Sequence, residues 1–280
     1  VTYTPPIRRR DTARGHYYRD AEGRRVPGVT TILDKGLPKK ALINWAANAT
    51  ADGTLNDWDS LALLPPAERL TKMKGIRYAA RDAAANRGTE VHRFAEKLLH
   101  GETVNVPDEI AGHVRSCAEF LDEFEFDAER IEFSIVSYTH GYAGTGDFIG
   151  TIALPDSPRD VPGDWRDFIG QRIRILGDWK TNRSGIFGES AIQMSAYRYA
   201  DALITGDDEE PMPAVDACAA LHLRADGYSL IPVTATTEIH RLFLYIQQVA
   251  RVDDESRDYV GAPIPPPAAS SYRLIREETS

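Results

Sequence analysis

Two cysteines, Cys117 and Cys218, are all that the 280 residues contain. They stand far apart with no Cys-x-x-Cys spacing, which speaks against a disulfide framework, a structural zinc site or an iron–sulfur cluster. A reducing cytoplasm suits such usage. No run of about 18 apolar residues occurs, so neither a membrane-spanning helix nor a membrane partner is expected. Arg8, Arg9 and Arg10 have no apolar stretch behind them, so the N-terminal segment does not read as a signal peptide. No internal repeat is visible.

What is present is ordinary for a globular chain: 42% hydrophobic and 27% charged residues. The length suits one large α/β domain with insertions, or two small ones. The net charge of -9 argues at first against a nucleic-acid partner. Its distribution says more. Residues 1–100 hold 18 Lys+Arg against 11 Asp+Glu, a balance of +7, and residues 101–280 hold 15 against 31, a balance of -16. A basic N-terminal part of this kind attracts phosphates, although charged faces are often merely solvated.

Periodicity places the elements. Residues 16–33 read as a β-hairpin around an Asp20–Gly23 turn, with β-branched Val29, Thr30, Thr31 and Ile32 in its second strand. A short helix over 39–51 carries Trp45, and Pro65–Pro66 start a long one reaching Leu99, in which Gly88 marks a kink or break. Another amphipathic helix covers 108–126. The period then changes, and 130–137, 142–153 and 172–181 read as strands. Between the last two, 155–171 is a Pro- and Gly-rich loop. A helix over 189–204, a hairpin over 214–224 and 228–234, and a helix over 236–251 follow. The Pro-rich tail starts at Gly261. The fold class this order implies is α/β, a mixed central sheet flanked by helices.

Asp178–Trp179–Lys180 ends one strand. Residues i and i+2 share a face, so Asp178 and Lys180 point to one site while Trp179 packs the other way. Asp147 lies between glycines in Gly144–Gly150, and His92 lies on the long helix with Glu96 one turn later, placed to orient its ring. Gln193 and Tyr197 share a helix face. Acids beside a lysine suit phosphodiester hydrolysis, which needs an activated water and neutralised phosphate charge. Singly, each motif is common: Asp178–Lys180 reads as a surface ion pair, His92 as a structural histidine.

In order, these motifs are Gly88-x-x-x-His92, Gly144-x-x-Asp147-x-x-Gly150, Asp178-x-Lys180 and Gln193-x-x-x-Tyr197. The series resembles the RecB-like branch of the PD-(D/E)XK nucleases, including phage and CRISPR-associated exonucleases. The resemblance spans 88–197 and implies a restriction-endonuclease-like core. It makes His92, Asp147, Asp178 and the Trp179 carbonyl ligands of Mg²⁺ or Mn²⁺. Lys180 then positions or activates the water, and Gln193 and Tyr197 support substrate near the scissile phosphate. Glu132 and Glu96 are candidate supporting acids, Glu132 ranking low because it reads as facing solvent. The chain departs from the CRISPR-associated members in lacking their four cluster cysteines, so no iron–sulfur cluster is expected, and 30 residues separate Asp147 from Asp178.

Lys74, Arg77 and Arg81 form a helical stripe, and Arg183 follows Lys180. With the Arg8–Arg10 arm they would contact a DNA backbone without reading sequence. Trp45, Tyr17 and Tyr18 are either stacking platforms for bases or core residues. The division expected is an N-terminal hairpin and basic helical region (1–87), a nuclease core (88–255) and a tail (256–280). The expected function is a metal-dependent DNA exonuclease of recombination or repair, phage-encoded in one reading. Such an enzyme acts alone, as a homo-oligomer, or with a recombination partner protein. The alternatives are a structure-specific or nicking endonuclease, and a non-catalytic DNA-binding protein of this fold.

Overall fold

The computed structural model describes residues 6–12, 15–157, 159, 161, 163–182 and 185–265. Arg183 and residues 266–280 of the tail lie outside the described residues. A small antiparallel sheet comes first: β1 (Arg8–Thr12), β2 (Gly15–Arg19) and β3 (Arg25–Val26). Helices α1 (Val29–Gly36), α2 (Lys40–Asn56), α3 (Trp58–Ala62), α4 (Pro66–Leu99) and α5 (Asp108–Glu123) follow. Then come β4 (Asp127–Ser137), β5 (Tyr142–Ala153), β6 (Arg172–Lys180), α6 (Glu189–Arg198), β7 (Ala202–Thr205) and β8 (Asp208–Pro211). The hairpin β9 (Ala217–Arg224) and β10 (Gly227–Val233) leads into α7 (Thr237–Glu255).

Among the described residues the central sheet has seven strands in the order β10-β9-β6-β5-β4-β7-β8. Only β6 and β9 run parallel; the other neighbours are antiparallel. A helical layer covers each face because the long strands alternate their apolar residues to both sides. Leu176, Cys218 and Ala220 face α1, α6 and α7. Ile175, Trp179, Ala219 and Leu221 face α5 and the C-terminal end of α4, which buries Val91, Phe94 and Ala95. The expected mixed sheet with flanking helices is the observed fold. Cys117 and Cys218 are buried and unpaired on opposite faces. Among the described residues no helix is long and apolar enough to cross a membrane.

Four local expectations differ. Val29–Ile32 is not a strand but the first turn of α1, where Val29, Ile32 and Leu33 bury at helical spacing. The helix expected over 189–204 stops at Arg198, and Ala202–Thr205 pairs with β4 instead. α4 runs through Gly88 without a break. The 155–171 loop contains a 3₁₀ turn, Gly163–Phe168.

Candidate metal centre

The centre begins where two strands part. β5 and β6 pair from Ala153/Arg172 up to Phe148/Gly177. Beyond that, β5 stays with β4 while β6 continues beside β9. Asp147 and Asp178 are the next residues on the two strands, so the fork opens at the two acids. Both are buried. The Trp179 N–H donates to Asp147 Oδ2 at 2.6 Å, so a side chain takes the hydrogen bond that the ladder no longer supplies. Trp179 turns its ring the other way, against Phe148 and Phe120, as the alternation predicts.

α4 brings His92 to the fork, with Nδ1 3.7 Å from Asp147 Oδ1. Gly88 lies one turn earlier on the same face. A Cβ there would stand 3.3 Å from Thr181 Oγ1, so the glycine lets α4 close on the end of β6. Gly144 plays a similar part on β5, since its Cβ would come within 2.7 Å of the Tyr197 ring. Burial holds the His92 pKa below its ordinary value, against the pull of Asp178, Glu132 and the Trp179 main chain. A neutral imidazole is the form that binds a metal. Among the described residues no hydrogen bond joins Glu96 to His92; Glu96 instead lies close enough to add its charge to the acids around Glu132.

Glu132 corrects the sequence reading most. The register pairs Ile131 with Phe148 and Phe133 with Gly146, which sets Glu132 directly across from Asp147. Its backbone is left-handed, with φ 47°. That costs about 1–3 kcal/mol in a residue other than glycine. Its side chain, 31% exposed, turns into the site rather than simply to solvent as expected: ligand atoms of His92, Glu132 and Asp147 all lie within 4.8 Å of one another.

This donor set fits a divalent cation. Ligand atoms on opposite sides of one Mg²⁺ or Mn²⁺ lie about 4.2 Å apart and adjacent ones about 3 Å, so the three side chains close on an ion by moving inward through small rotations. One imidazole with carboxylates suits a Mn²⁺-type ion. The electrostatics agree. Burial and the Asp178 charge push the Asp147 pKa up to about 8. Burial and the Asp147 charge push Glu132 up to about 7. Acids crowded out of water hold protons unless a cation replaces them. Asp178 Oδ2 pairs with Lys180 Nζ, yet it is buried and, among the described residues, takes no well-directed hydrogen bond. Asp178 therefore stands beside the three-donor set, turned toward Lys180 and Gln193.

Gln193 ties the remaining groups together. Its Nε2 donates to the Tyr197 hydroxyl at 2.9 Å and to Asp178 Oδ1 at 3.3 Å, while Oε1 accepts from Lys180 Nζ at 3.4 Å. Burial works against the charge on Lys180, but Asp178 and Asp147 outweigh it and raise the pKa. Burial raises the Tyr197 pKa well above the ordinary phenol value. Lys180 thus stays an ammonium and Tyr197 a neutral phenol.

These residues line a cavity of about 280 Å³ together with Arg9, His16, Tyr18 and Thr145. It adjoins a larger one of about 520 Å³ bordered by Arg25, Lys35 and Arg251. The Arg8–Arg10 arm is not free: it forms β1, with Arg8 paired to Asp207 and Arg9 to Asp11. Tyr18 is buried with its hydroxyl 2.7 Å from Thr145 Oγ1, so it is no stacking platform. Tyr17 has the Arg19 and Arg25 guanidinium groups against its ring. Trp45 is partly exposed on α2, away from the buried cores. Lys74, Arg77 and Arg81 lie on the exposed half of α4, where Arg77 and Arg81 flank Tyr78 and Arg81 pairs with Asp82. At 1.5 Å per residue, Arg81 sits about 16 Å along the helix from His92. The sequence signals Thr145 only by its place two residues before Asp147 on the same strand face, and gives no sign of His16.

The chain matches no protein-family model, and no curated protein matches it.

Proposed function

We propose that this protein is a metal-dependent deoxyribonuclease of the PD-(D/E)XK kind, acting as an exonuclease on linear DNA. The observation that carries the reading is the gathering of His92, Glu132 and Asp147 into one donor set beside the Asp178–Lys180–Gln193 group. Three separate elements converge to build it. A bound Mg²⁺ or Mn²⁺ supplies charge neutralisation at the phosphate and a more acidic water. His92, Glu132 and Asp147 would hold the ion, with Asp178 and the Trp179 main chain adjacent. Lys180, charged throughout, stabilises the developing negative charge on the phosphate and does not act as a base. Gln193 fixes the direction of the Lys180 ammonium, and Tyr197 fixes Gln193. The α4 stripe and the cavity beside Arg25 and Arg251 offer DNA a path of cations, with salt-dependent affinity.

Closed circular and end-labelled linear DNA, each incubated with Mn²⁺, separate the readings. Loss of linear DNA alone is expected, with Lys180→Ala slower by about 10²–10³. Cleavage of circles would point to an endonuclease. No cleavage of either would sink the enzyme reading.

A second expectation concerns pH. Glu132 and Asp147 have folded pKa values raised to about 7 and about 8. The folded state therefore binds more protons than the unfolded one between pH 5 and 8, and metal-free stability falls as pH rises through that window. An ion must displace those protons. The increase in Tm produced by excess Mn²⁺ should thus be larger at pH 8 than at pH 6, as read by differential scanning fluorimetry. An equal increase at both would contradict the ligand set.

A further inference from the structure

Arg9 has no role in the reading above, yet it lines the same cavity. It stands on β1 directly across from Tyr18. Both side chains reach Thr145: the Tyr18 hydroxyl at 2.7 Å, and Arg9 Nη1 at 3.3 Å. His16 Nε2 lies 3.4 Å from the same oxygen. Thr145 and Asp147 share a face of β5, so the small sheet is fastened over the metal centre at this hydroxyl. From there Arg9 Nη1 reaches to 3.8 Å from Glu132 Oε2, while its Nε donates to Asp11 at 2.9 Å. Arg8, on the opposite face of β1, is engaged with Asp207 and faces away.

We infer that Arg9 and a divalent cation compete for Glu132, and that the displaced Arg9 serves as the second cation on the scissile phosphate. The physical case is one of position and charge. Glu132 is both the partner of Arg9 and a member of the three-donor set. A carboxylate oxygen turned to an ion has less charge to offer a guanidinium nearby. Arg9 stays fastened through Asp11 and Thr145, and five N–H donors leave it able to grip a phosphate oxygen with a forked contact. Lys180 and Arg9 come to the cavity from different sheets, so a phosphate between them would be held from two sides. The phosphate half of this inference rests on the nuclease reading; the competition for Glu132 does not.

The test uses the full chain with Arg9→Gln, Arg9→Lys, Glu132→Gln and the Arg9→Gln/Glu132→Gln double variant, each checked for its fold by circular dichroism. Mn²⁺ alone is titrated by calorimetry. Arg9→Gln should bind Mn²⁺ more tightly than wild type by up to about fivefold, the upper end of the range for a partly exposed ion pair. Arg9→Lys, which keeps the competing charge and guards against misfolding of the neutral variant, should bind as wild type does. The gain should vanish when Arg9→Gln is made in Glu132→Gln. On linear DNA, Arg9→Gln and Arg9→Lys should both lose kcat, by about 30-fold, because lysine lacks the fork. Tighter metal with slower cutting is a pairing that a merely structural role would not produce. Unchanged or weaker Mn²⁺ binding in Arg9→Gln, or the same gain without Glu132, overturns the competition. Competition as expected with wild-type kcat in Arg9→Gln overturns the phosphate contact alone. A wild type that binds Mn²⁺ but never cuts DNA overturns the nuclease reading and that contact together, while the Mn²⁺ titration still decides the competition.

Discussion

Asp147→Asn is expected to lose cleavage of linear DNA by about 10³-fold or more and, at pH 8 without metal, to melt at a higher temperature than wild type. The loss follows from position. Asp147 touches His92, receives the Trp179 N–H and stands across from Glu132, so it is the one acid shared by every part of the donor set. Charge stabilisation realised in the transition state is commonly the largest single contribution to such rates. The gain follows from burial. Its pKa is pushed up to about 8 because water is excluded and Asp178 is near. At pH 8 the wild-type fold therefore carries a poorly solvated negative charge in about half of its molecules, and it would be more stable without it. Asparagine keeps an oxygen to accept from Trp179 and removes the charge. Sites tuned for function commonly cost stability in this way. Activity assays and thermal melts of the same preparation check both halves; a variant that melts lower while losing activity would mean only that the fork had collapsed.

Trp179→Ala should cost about 3–5 kcal/mol of folding stability, the range for truncating a buried large aromatic. Trp179 is 3% exposed, and its ring centroid lies 4.4 Å from that of Phe148. Phe148 is itself backed by Phe126. The residue occupies the step between Asp178 and Lys180, so the packing that anchors its ring also fixes where its neighbours point. Mn²⁺ binding should weaken along with stability. Trp179→Phe, which retains an aromatic anchor, should recover most of both. Guanidinium unfolding followed by circular dichroism measures the first, calorimetry the second. A loss under about 1 kcal/mol would show that the end of β6 is held by its β9 pairing rather than by this ring.

Much of this site is legible in the sequence, because it depends on period. Asp178, Trp179 and Lys180 sort to opposite faces by strand alternation alone, and Gln193 and Tyr197 share a face by helix geometry. The parts that escape are those where local preference gives no sign. Glu132 sits opposite Asp147 through a strand irregularity near Ala128/Arg130 and a left-handed backbone that glutamate does not favour. Arg9 arrives from a strand more than a hundred residues away in sequence. Val29–Ile32 misleads because its β-branched residues suggest a strand, whereas the helical spacing of Val29, Ile32 and Leu33 decides once α1 has α7 to pack on. The helix after Lys180 stops at Arg198 with no glycine or proline to announce it; pairing of Ala202–Thr205 with β4 ends it instead.

An anomalous difference map from crystals soaked in Mn²⁺ tests the donor set most directly. The account predicts a peak with the His92 ring nitrogen and oxygens of Glu132 and Asp147 each about 2.0–2.3 Å away. A peak outside this cavity, or one ligated without His92 and Glu132, would contradict it.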